Sequence, residues 1–369
     1  MALQDEIDAR SGEIRTDSYP MSVGEIINLY RDGDLDLHPE FQRFFRWTAT
    51  QKSRLIESIL LGIPIPSIFV AQREDGVWDV IDGLQRLGTI LQFVGLLRDE
   101  QGATLPPLTL EGTKYLPSLE GKAWDNPAAP DHSLTEDQRR FIKRSKLVIQ
   151  IILRQSHDAT KYELFQRLNT GGSDLSDQET RNCILVMVNR NMFTWLRDLS
   201  QEPDFQACIP LSERAQDEQY DLELVVRFLV LRKWPEDKLR GIRDLGEFLT
   251  EQLVRLAQDP TYDQAVEAQA FRSVFALLNQ ALNGDSFRRH DATRDRFLGA
   301  FSISAFEAVA IGTGFHGEEL ASGAKILDIE NRVKSIWANG DFRTGSGTGV
   351  RAGNRLPVLI PLGRAIFKP

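Results

Sequence analysis

The sequence predicts an α+β domain followed by an all-helical one, and three observations carry that expectation. Short runs of alternating apolar and polar residues punctuate the chain only up to about residue 153, with amphipathic helical patterns between them. Beyond residue 178 the apolar residues recur at the 3.6-residue period of helices that pack on one another, as in Leu222, Val225, Val226, Leu229 and Val230. Finally, 369 residues with 41% hydrophobic content exceed what one simple core usually fills. The expected division is an α+β domain over 15–190, with an irregular insertion at 99–135, then a helical domain over 191–340 and a Gly/Arg-rich tail over 341–369.

The elements follow in order. Ser22 with Glu25 caps a helix over Val23 to Leu29 that Gly33 ends, and Leu35 to Leu37 forms a short strand. Thr48 with Gln51 three residues on makes a capping box. Leu55, Ile56, Ile59 and Leu60 give its helix an apolar face that stops at Gly62. Pro64 and Pro66 lead into a strand over Ile68 to Ala71, which Asp75-Gly76 turns back into Val77 to Ile81. Leu147 to Leu153 reads as a buried strand. Tyr162, Phe165 and Leu168 mark one face of a helix that ends at Asn169-Thr170-Gly171-Gly172, and Ser176 with Glu179 opens the next. Further helices are expected near 178–200, 217–233, 244–257, 262–283, 302–311 and 324–338. The tail carries Arg343, Arg351, Arg355 and Arg364 among glycines, which fits either a loop ordered around an anion or a flexible end.

The chemistry concentrates at Val80 to Phe93, VIDGLQRLGTILQF. The strand pattern stops at Ile81 and the helical one starts at Leu84, so the turn falls on Asp82 and Gly83. Gly83 permits a backbone conformation or a close approach that a side chain would block. The helix N-terminus beyond it points free N–H groups and partial positive charge outward, and Gln85 and Arg86 project from its first turn. Such a corner suits a phosphate. It equally suits a plain structural role in which Asp82 caps the helix and pairs with Arg86, and these residues alone do not choose. Upstream, Gln42 and Arg43, with Arg46 and Trp47 behind them, stand among Pro39, Phe41, Phe44 and Phe45, apolar bulk that favours a partnered guanidinium over a solvated one. The Asn169 to Gly172 loop can turn main-chain N–H groups toward one point as an anion nest, or serve only as a helix C-cap and turn.

Other chemistries find little support. Cys183 and Cys208 are the only cysteines, which argues against a disulfide framework and for a reducing cytoplasm. Cys183 sits on an apolar helix with no nearby histidine and reads as core. The five histidines are scattered without zinc-ligand or His-Asn-His spacing, and neither a P-loop nor a G-x-S-x-G elbow is present. No apolar run approaches a membrane-spanning length. A net charge of −9 repels a DNA duplex over most of the surface, so any contact needs a local basic strip. Arg139, Arg140, Lys143, Arg144 and Lys146 supply one candidate and the tail arginines another, although charge runs usually solvate a helix face.

Three segments together resemble the N-terminal domain of the GmrSD-type restriction family, a ParB/sulfiredoxin-like domain. They are Pro39, Gln42, Arg43 and Trp47; Ile56 to Pro66 (IESILLGIPIP) followed by Asp82-Gly83-Leu84-Gln85-Arg86; and Phe165 to Asn182 (FQRLNTGGSDLSDQETRN). The family pattern at the turn is D-G-Q-Q-R, so Leu84 departs from it, and a contact made by that first Gln does not carry over. The resemblance spans roughly residues 15 to 190 and implies a nucleoside triphosphate with Mg2+ as ligand. Phosphate would be held by Gln42, Arg43, Gly83, Arg86, Asn169, Thr170, Gly171 and Gly172. Asp82, Gln85 and Arg86 would be the catalytic set, with Asp82 on the metal, and Glu179 with Arg181 or Asn182 would help line the same cleft. The implied function is a nucleotide-binding, NTP-hydrolysing component of a restriction or anti-phage system that acts on DNA through a separately encoded nuclease. A non-catalytic nucleotide sensor or DNA-binding adaptor is the alternative, and direct cleavage by a ParB-like nuclease a weaker one. Assembly into an oligomer stays open.

Overall fold

The computed structural model describes residue 3 and residues 15–37, 47–99, 101–153, 176–347 and 349–369. The chain divides into two compact units, Met1–Asp174 and Leu175–Pro369. The first is α+β and the second is helical apart from one small hairpin. The division falls before the 190/191 boundary read from the sequence, and residues 341–369 belong to the second unit.

The first unit is built on a five-stranded mixed sheet ordered β1-β5-β3-β4-β2. The strands are β1 (Thr16–Ser22), β2 (Leu35–Asp36), β3 (Ile68–Gln72), β4 (Trp78–Asp82) and β5 (Lys146–Ile152). β1 runs antiparallel to β5, β5 parallel to β3, β3 antiparallel to β4 and β4 parallel to β2. Among the described residues, four helices of at least nine residues accompany the sheet: α1 (Val23–Asp32), α2 (Ala49–Leu61), α3 (Leu84–Phe93) and α4 (Glu136–Arg144). Ser22 caps α1, and Gly33 ends it in the left-handed region at φ 86°. Thr48 and Gln51 form the capping box of α2, Gly62 ends it at φ 69°, and Thr135 with Gln138 caps α4 in the same way. The core is aliphatic, with Val23, Ile26, Ile56, Ile59, Ile68, Leu91 and Ile149 among its most buried members.

The described residues of 99–135 contain two single turns of 3₁₀ helix. Their anchor is Glu57 on α2, 5% exposed, whose Oε1 accepts the backbone N–H groups of Tyr115 (3.0 Å) and Leu116 (3.1 Å) and the hydroxyl of Thr113. A buried carboxylate is tolerated here because these donors replace its water. β1 was not expected. Its sequence TDSYPMS is polar and five of its residues are exposed, which fits an edge strand whose Pro20 is tolerated because one of its sides needs no ladder partner.

The second unit begins with α5 (Asp177–Ser200), opened by the Ser176/Glu179 capping box and broken at Asn189, where φ −158° and ψ 90° leave the helical region. Asn189 Oδ1 accepts the Met192 N–H at 3.0 Å and so starts the second half. Then follow α6 (Pro203–Cys208), α7 (Glu213–Asp217), α8 (Tyr220–Leu231), α9 (Leu245–Gln258), α10 (Gln264–Leu282) and a hairpin of β6 (Arg289–Asp291) with β7 (Arg296–Leu298). The chain continues through α11 (Ile303–Phe315), α12 (Gly317–Ala321), α13 (Ile329–Ala338), α14 (Gly340–Gly345) and α15 (Ala352–Ile366). An aromatic cluster fills the centre, with Phe271 4.5 Å and Phe205 4.8 Å from Phe275. α11 and α15 cross backbone to backbone: a Cβ on Gly363 would lie 1.9 Å from the Ala308 carbonyl oxygen.

The Gly/Arg-rich tail is therefore helical over its last part, and two of its arginines, Arg355 and Arg364, serve the interior. Arg355 pairs through Nε with Glu307 Oε2 at 2.6 Å, and Glu307 is fully buried. Arg364 donates to the carbonyls of Leu231, Arg232 and Trp234 and pairs with Glu236. Arg343 and Arg351 are exposed. Two prolines, Pro357 and Pro361, inside α15 hid this helix from a propensity reading.

Candidate functional site

The corner between β4 and α3 is the site that the sequence singles out. β4 ends at Asp82, and Gly83 takes φ 97°, a conformation L side chains rarely adopt; a Cβ there would meet Ile68 Cδ1 at 2.3 Å. Glycine is thus required twice over, by backbone angle and by space. Gly83 is the N-cap of α3 and provides no side-chain cap bond. The first N–H groups of α3 consequently receive no cap from the side chain at the N-cap position, at the end where the helix dipole is positive.

Arg86 lies one turn into α3 and is mostly buried, its side chain 12% exposed. Its Nη2 donates to Asp82 Oδ2 at 2.7 Å, and its Nη1 donates to the carbonyls of Pro66 at 2.5 Å and Ser67 at 3.0 Å. The guanidinium thus ties the turn to the entrance of β3. Asp82 is paired but does not cap the helix, so the structural alternative holds in its ion-pair half only. Neither carbonyl partner was legible beforehand, since a backbone oxygen about twenty residues away leaves no side-chain signal.

Gln85 brings in a second motif. Its Oε1 accepts the backbone N–H of Trp47 at 3.4 Å, across 38 residues of sequence. Trp47 closes the Pro39 to Trp47 segment and leads into the Thr48 cap of α2. The structure therefore brings together Asp82, Gly83, Gln85, Arg86 and Trp47. Gln42, Arg43, Asn169, Thr170, Gly171 and Gly172 lie outside the described residues.

The Gln178 to Asn182 segment is bonded within its own unit. Gln178, Glu179, Arg181 and Asn182 are all buried and belong to the second unit. Arg181 bonds Gln178, Thr250 and the Gly246 carbonyl, with Glu223 at 4.0 Å, while Asn182 bonds Gln178 and Gln219. Burial pulls the Arg181 guanidinium down to about 10, partly opposed by Glu223. Arg181 and Asn182 hold α5 to α8, α9 and the residue before α8. Nothing in the sequence distinguishes a buried, internally satisfied Q-E-x-R-N from one that faces a ligand.

Two of the five cations of the basic strip are neutralised where they stand. Arg139 pairs with Asp125 at 2.9 Å, Arg140 with Glu136 and Asp137 on its own helix, and the Lys143 Nζ sits 5.8 Å from the Trp124 ring centre. Arg144 and Lys146 are exposed. Both thiols are buried and burial raises them, Cys208 to about 11 and Cys183 further, which agrees with the core role expected for Cys183. Among the described residues no three His, Cys, Asp or Glu side chains gather as a metal site, and no helix is long and apolar enough to cross a membrane. Asp82 by itself fits one metal only. Mg2+ commonly takes one or two carboxylates, several waters and the oxygens of a bound phosphate chain, so a lone carboxylate beside an anion-facing helix start is compatible with it.

The first unit is an α+β domain whose sheet-to-helix corner carries an Asp-Gly turn, a helix started by glycine and an arginine paired with the turn's aspartate. Residues 23–186 match the model of the GmrSD restriction endonuclease N-terminal domain, so this part of the chain is similar to that domain. Comparison with curated proteins and with solved structures gives no match. The matched segment runs past the first unit into α5 and stops three residues before the break at Asn189.

Proposed function

We propose that the chain is a component of a restriction or anti-phage defence system that binds a nucleoside triphosphate with Mg2+ at the β4–α3 corner, hydrolyses it, and acts on DNA through a separately encoded nuclease. The observation that carries this reading is the Gln85–Trp47 hydrogen bond. It brings the end of the Gln42-Arg43 segment onto the same corner as Asp82, Gly83 and Arg86. The similarity of residues 23–186 to the GmrSD restriction endonuclease N-terminal domain supports the biological setting.

In this reading the N–H groups at the start of α3 receive phosphate oxygens, and Gly83 supplies the φ 97° turn against Ile68 that starts the helix there. Arg43 grips the phosphate chain as a planar fork and Gln42 orients an oxygen or the attacking water. Asn169 to Gly172 contribute further N–H and side-chain donors. Asp82 holds Mg2+, which supplies neutralisation of charge building on the phosphate oxygens. The chain's own acidity makes the bulk of its surface a poor DNA ligand, which is why DNA is reached through a partner.

The test is calorimetric titration of the purified chain with ATP, GTP, CTP and UTP in Mg2+, followed by phosphate release and by DNA cutting with and without the partner nuclease. One nucleotide binds, phosphate is released, and duplex DNA stays whole until the partner is added. Cleavage by the chain alone, indifferent to nucleotide and lost in Asp82→Ala, overturns the reading in favour of a direct nuclease. Tight binding without phosphate release converts it to a nucleotide-sensing adaptor.

A further inference from the structure

We propose that Arg86 is a positioning residue that acts through Asp82 and the Pro66–Ser67 backbone, rather than a ligand of the phosphate chain. The inference deepens the nucleotide reading above and rests on it for its ligand. The geometry is specific. Nη2 holds Asp82 Oδ2 at 2.7 Å, while Nη1 bridges two successive carbonyls, Pro66 O at 2.5 Å and Ser67 O at 3.0 Å. These are charge-assisted bonds, the stronger kind, and both terminal nitrogens are engaged in them. Turning the guanidinium toward a phosphate would break all three and leave Asp82 without its cation.

What the strut accomplishes follows from where its ends are. Pro66 and Ser67 immediately precede β3, Asp82 ends β4, and the two strands are paired in the sheet, Phe69 opposite Asp82. Gly83 has no side chain to fix the turn by packing, and Ile68 already occupies the space a Cβ would take. Arg86 therefore supplies what a glycine turn lacks, a fixed frame. It also selects one carboxylate orientation: with Oδ2 held by Nη2, Oδ1 is the oxygen of Asp82 that is left to meet a cation. A lysine offers a single point of charge and cannot span a carboxylate and two carbonyls as a planar fork does.

The roles separate in metal dependence. A direct phosphate ligand contributes whether or not Mg2+ is present, whereas a residue acting through Asp82 contributes only when the metal is. Titration of wild type, Arg86→Gln, Asp82→Asn and the double variant with the best-binding of the four nucleotides, in Mg2+ and in EDTA, reads this difference. Loss of one charge-assisted contact corresponds to about tenfold or more in affinity. Arg86→Gln is expected to lose about that factor in Mg2+ and nothing in EDTA. The double variant should be no weaker than Asp82→Asn. Equal losses in Mg2+ and in EDTA, or additive losses in the double variant, overturn the proposal and make Arg86 a phosphate ligand.

Thermal melting of the same four proteins without nucleotide judges the strut separately. Arg86→Gln and Asp82→Asn should each lower the transition and the double variant should fall well short of their sum. Additive shifts, or none, overturn the strut. If wild type binds none of the four nucleotides while the melting shifts remain coupled, the nucleotide reading fails and the Arg86–Asp82–Pro66 strut stands.

Discussion

The two units place their best-bonded arginines at different depths. The helical unit buries charge: Glu307, fully buried, is bonded by both Arg227 and Arg355, and Arg232, fully buried, is bonded by Glu267, Glu318 and the Gly314 carbonyl. The α+β unit keeps its one motif-borne pair, Asp82 with Arg86, at a partly exposed turn. Capping follows the same division inside the first unit. α1, α2 and α4 start on Ser22, Thr48 and Thr135, whose side chains satisfy orphan N–H groups, while α3 starts on Gly83 with no such bond. Arginines that look alike in sequence are thus architectural in one unit and stand beside an open helix end in the other.

The largest effect should come from breaking the buried set. Glu307→Ala leaves Arg227 and Arg355 buried without their shared carboxylate, and loss of one partner from a buried pair costs about 3–5 kcal/mol. Urea denaturation followed by circular dichroism should show the helical unit losing most of its stability. A change below about 1 kcal/mol would mean that the arginines re-pair and that the buried charges are not architectural.

Next comes Gly83→Ala. The substituted residue would need φ 97° and would press on Ile68 Cδ1, so strain and overpacking together predict a loss of about 2–3 kcal/mol. The same measurement checks it. An unaffected melt would show that the corner relaxes, which removes the rigid turn on which the Asp82 frame depends.

Thr48→Ala sharpens the contrast between capped and uncapped starts. The Thr48 hydroxyl accepts the Gln51 N–H, and the Gln51 side chain accepts the Thr48 N–H, so the cap's removal should cost about 1 kcal/mol. Because Trp47 N–H is bonded to Gln85, the same variant tests whether a loosened α2 start is felt at the corner. A nucleotide affinity reduced beyond the stability loss would show that it is.

What was legible in the sequence was local. The caps at Ser22, Thr48 and Ser176, the glycine stops at Gly33 and Gly62, the hairpin at Asp75-Gly76 and the turn at Gly83 all arise from residues within a few positions of one another. Neighbouring chemistry fixes them. β1 and α15 were hidden for the complementary reason: an edge strand need not alternate, and a helix with two prolines is held by its crossing with α11 rather than by propensity. The same logic divides the site. The Asp82–Arg86 pair at i, i+4 could be written down from the sequence, whereas Arg355 with Glu307, 48 residues apart, could not. Carbonyl acceptors such as Pro66 and Ser67 carry no residue-type signature at all.

The smallest expected effect is a silence that keeps the two units apart experimentally. Cys183 and Cys208 are both buried and both lie in the helical unit, and burial keeps their thiols protonated well above neutral pH, Cys208 up to about 11. The thiolate is the reactive form, so a thiol reagent at pH 8 should label neither cysteine in the native protein and both after denaturation. Labelling therefore follows opening of the helical unit alone. Gly83→Ala and Thr48→Ala, which act in the α+β unit, should leave the labelling rate unchanged. Glu307→Ala should raise it, because losing about 3 kcal/mol increases the open fraction more than a hundredfold when opening is at equilibrium. Equal acceleration by Gly83→Ala and Glu307→Ala would show that the units open together, and the separation of a charged interior from an uncapped corner would then describe one cooperative fold.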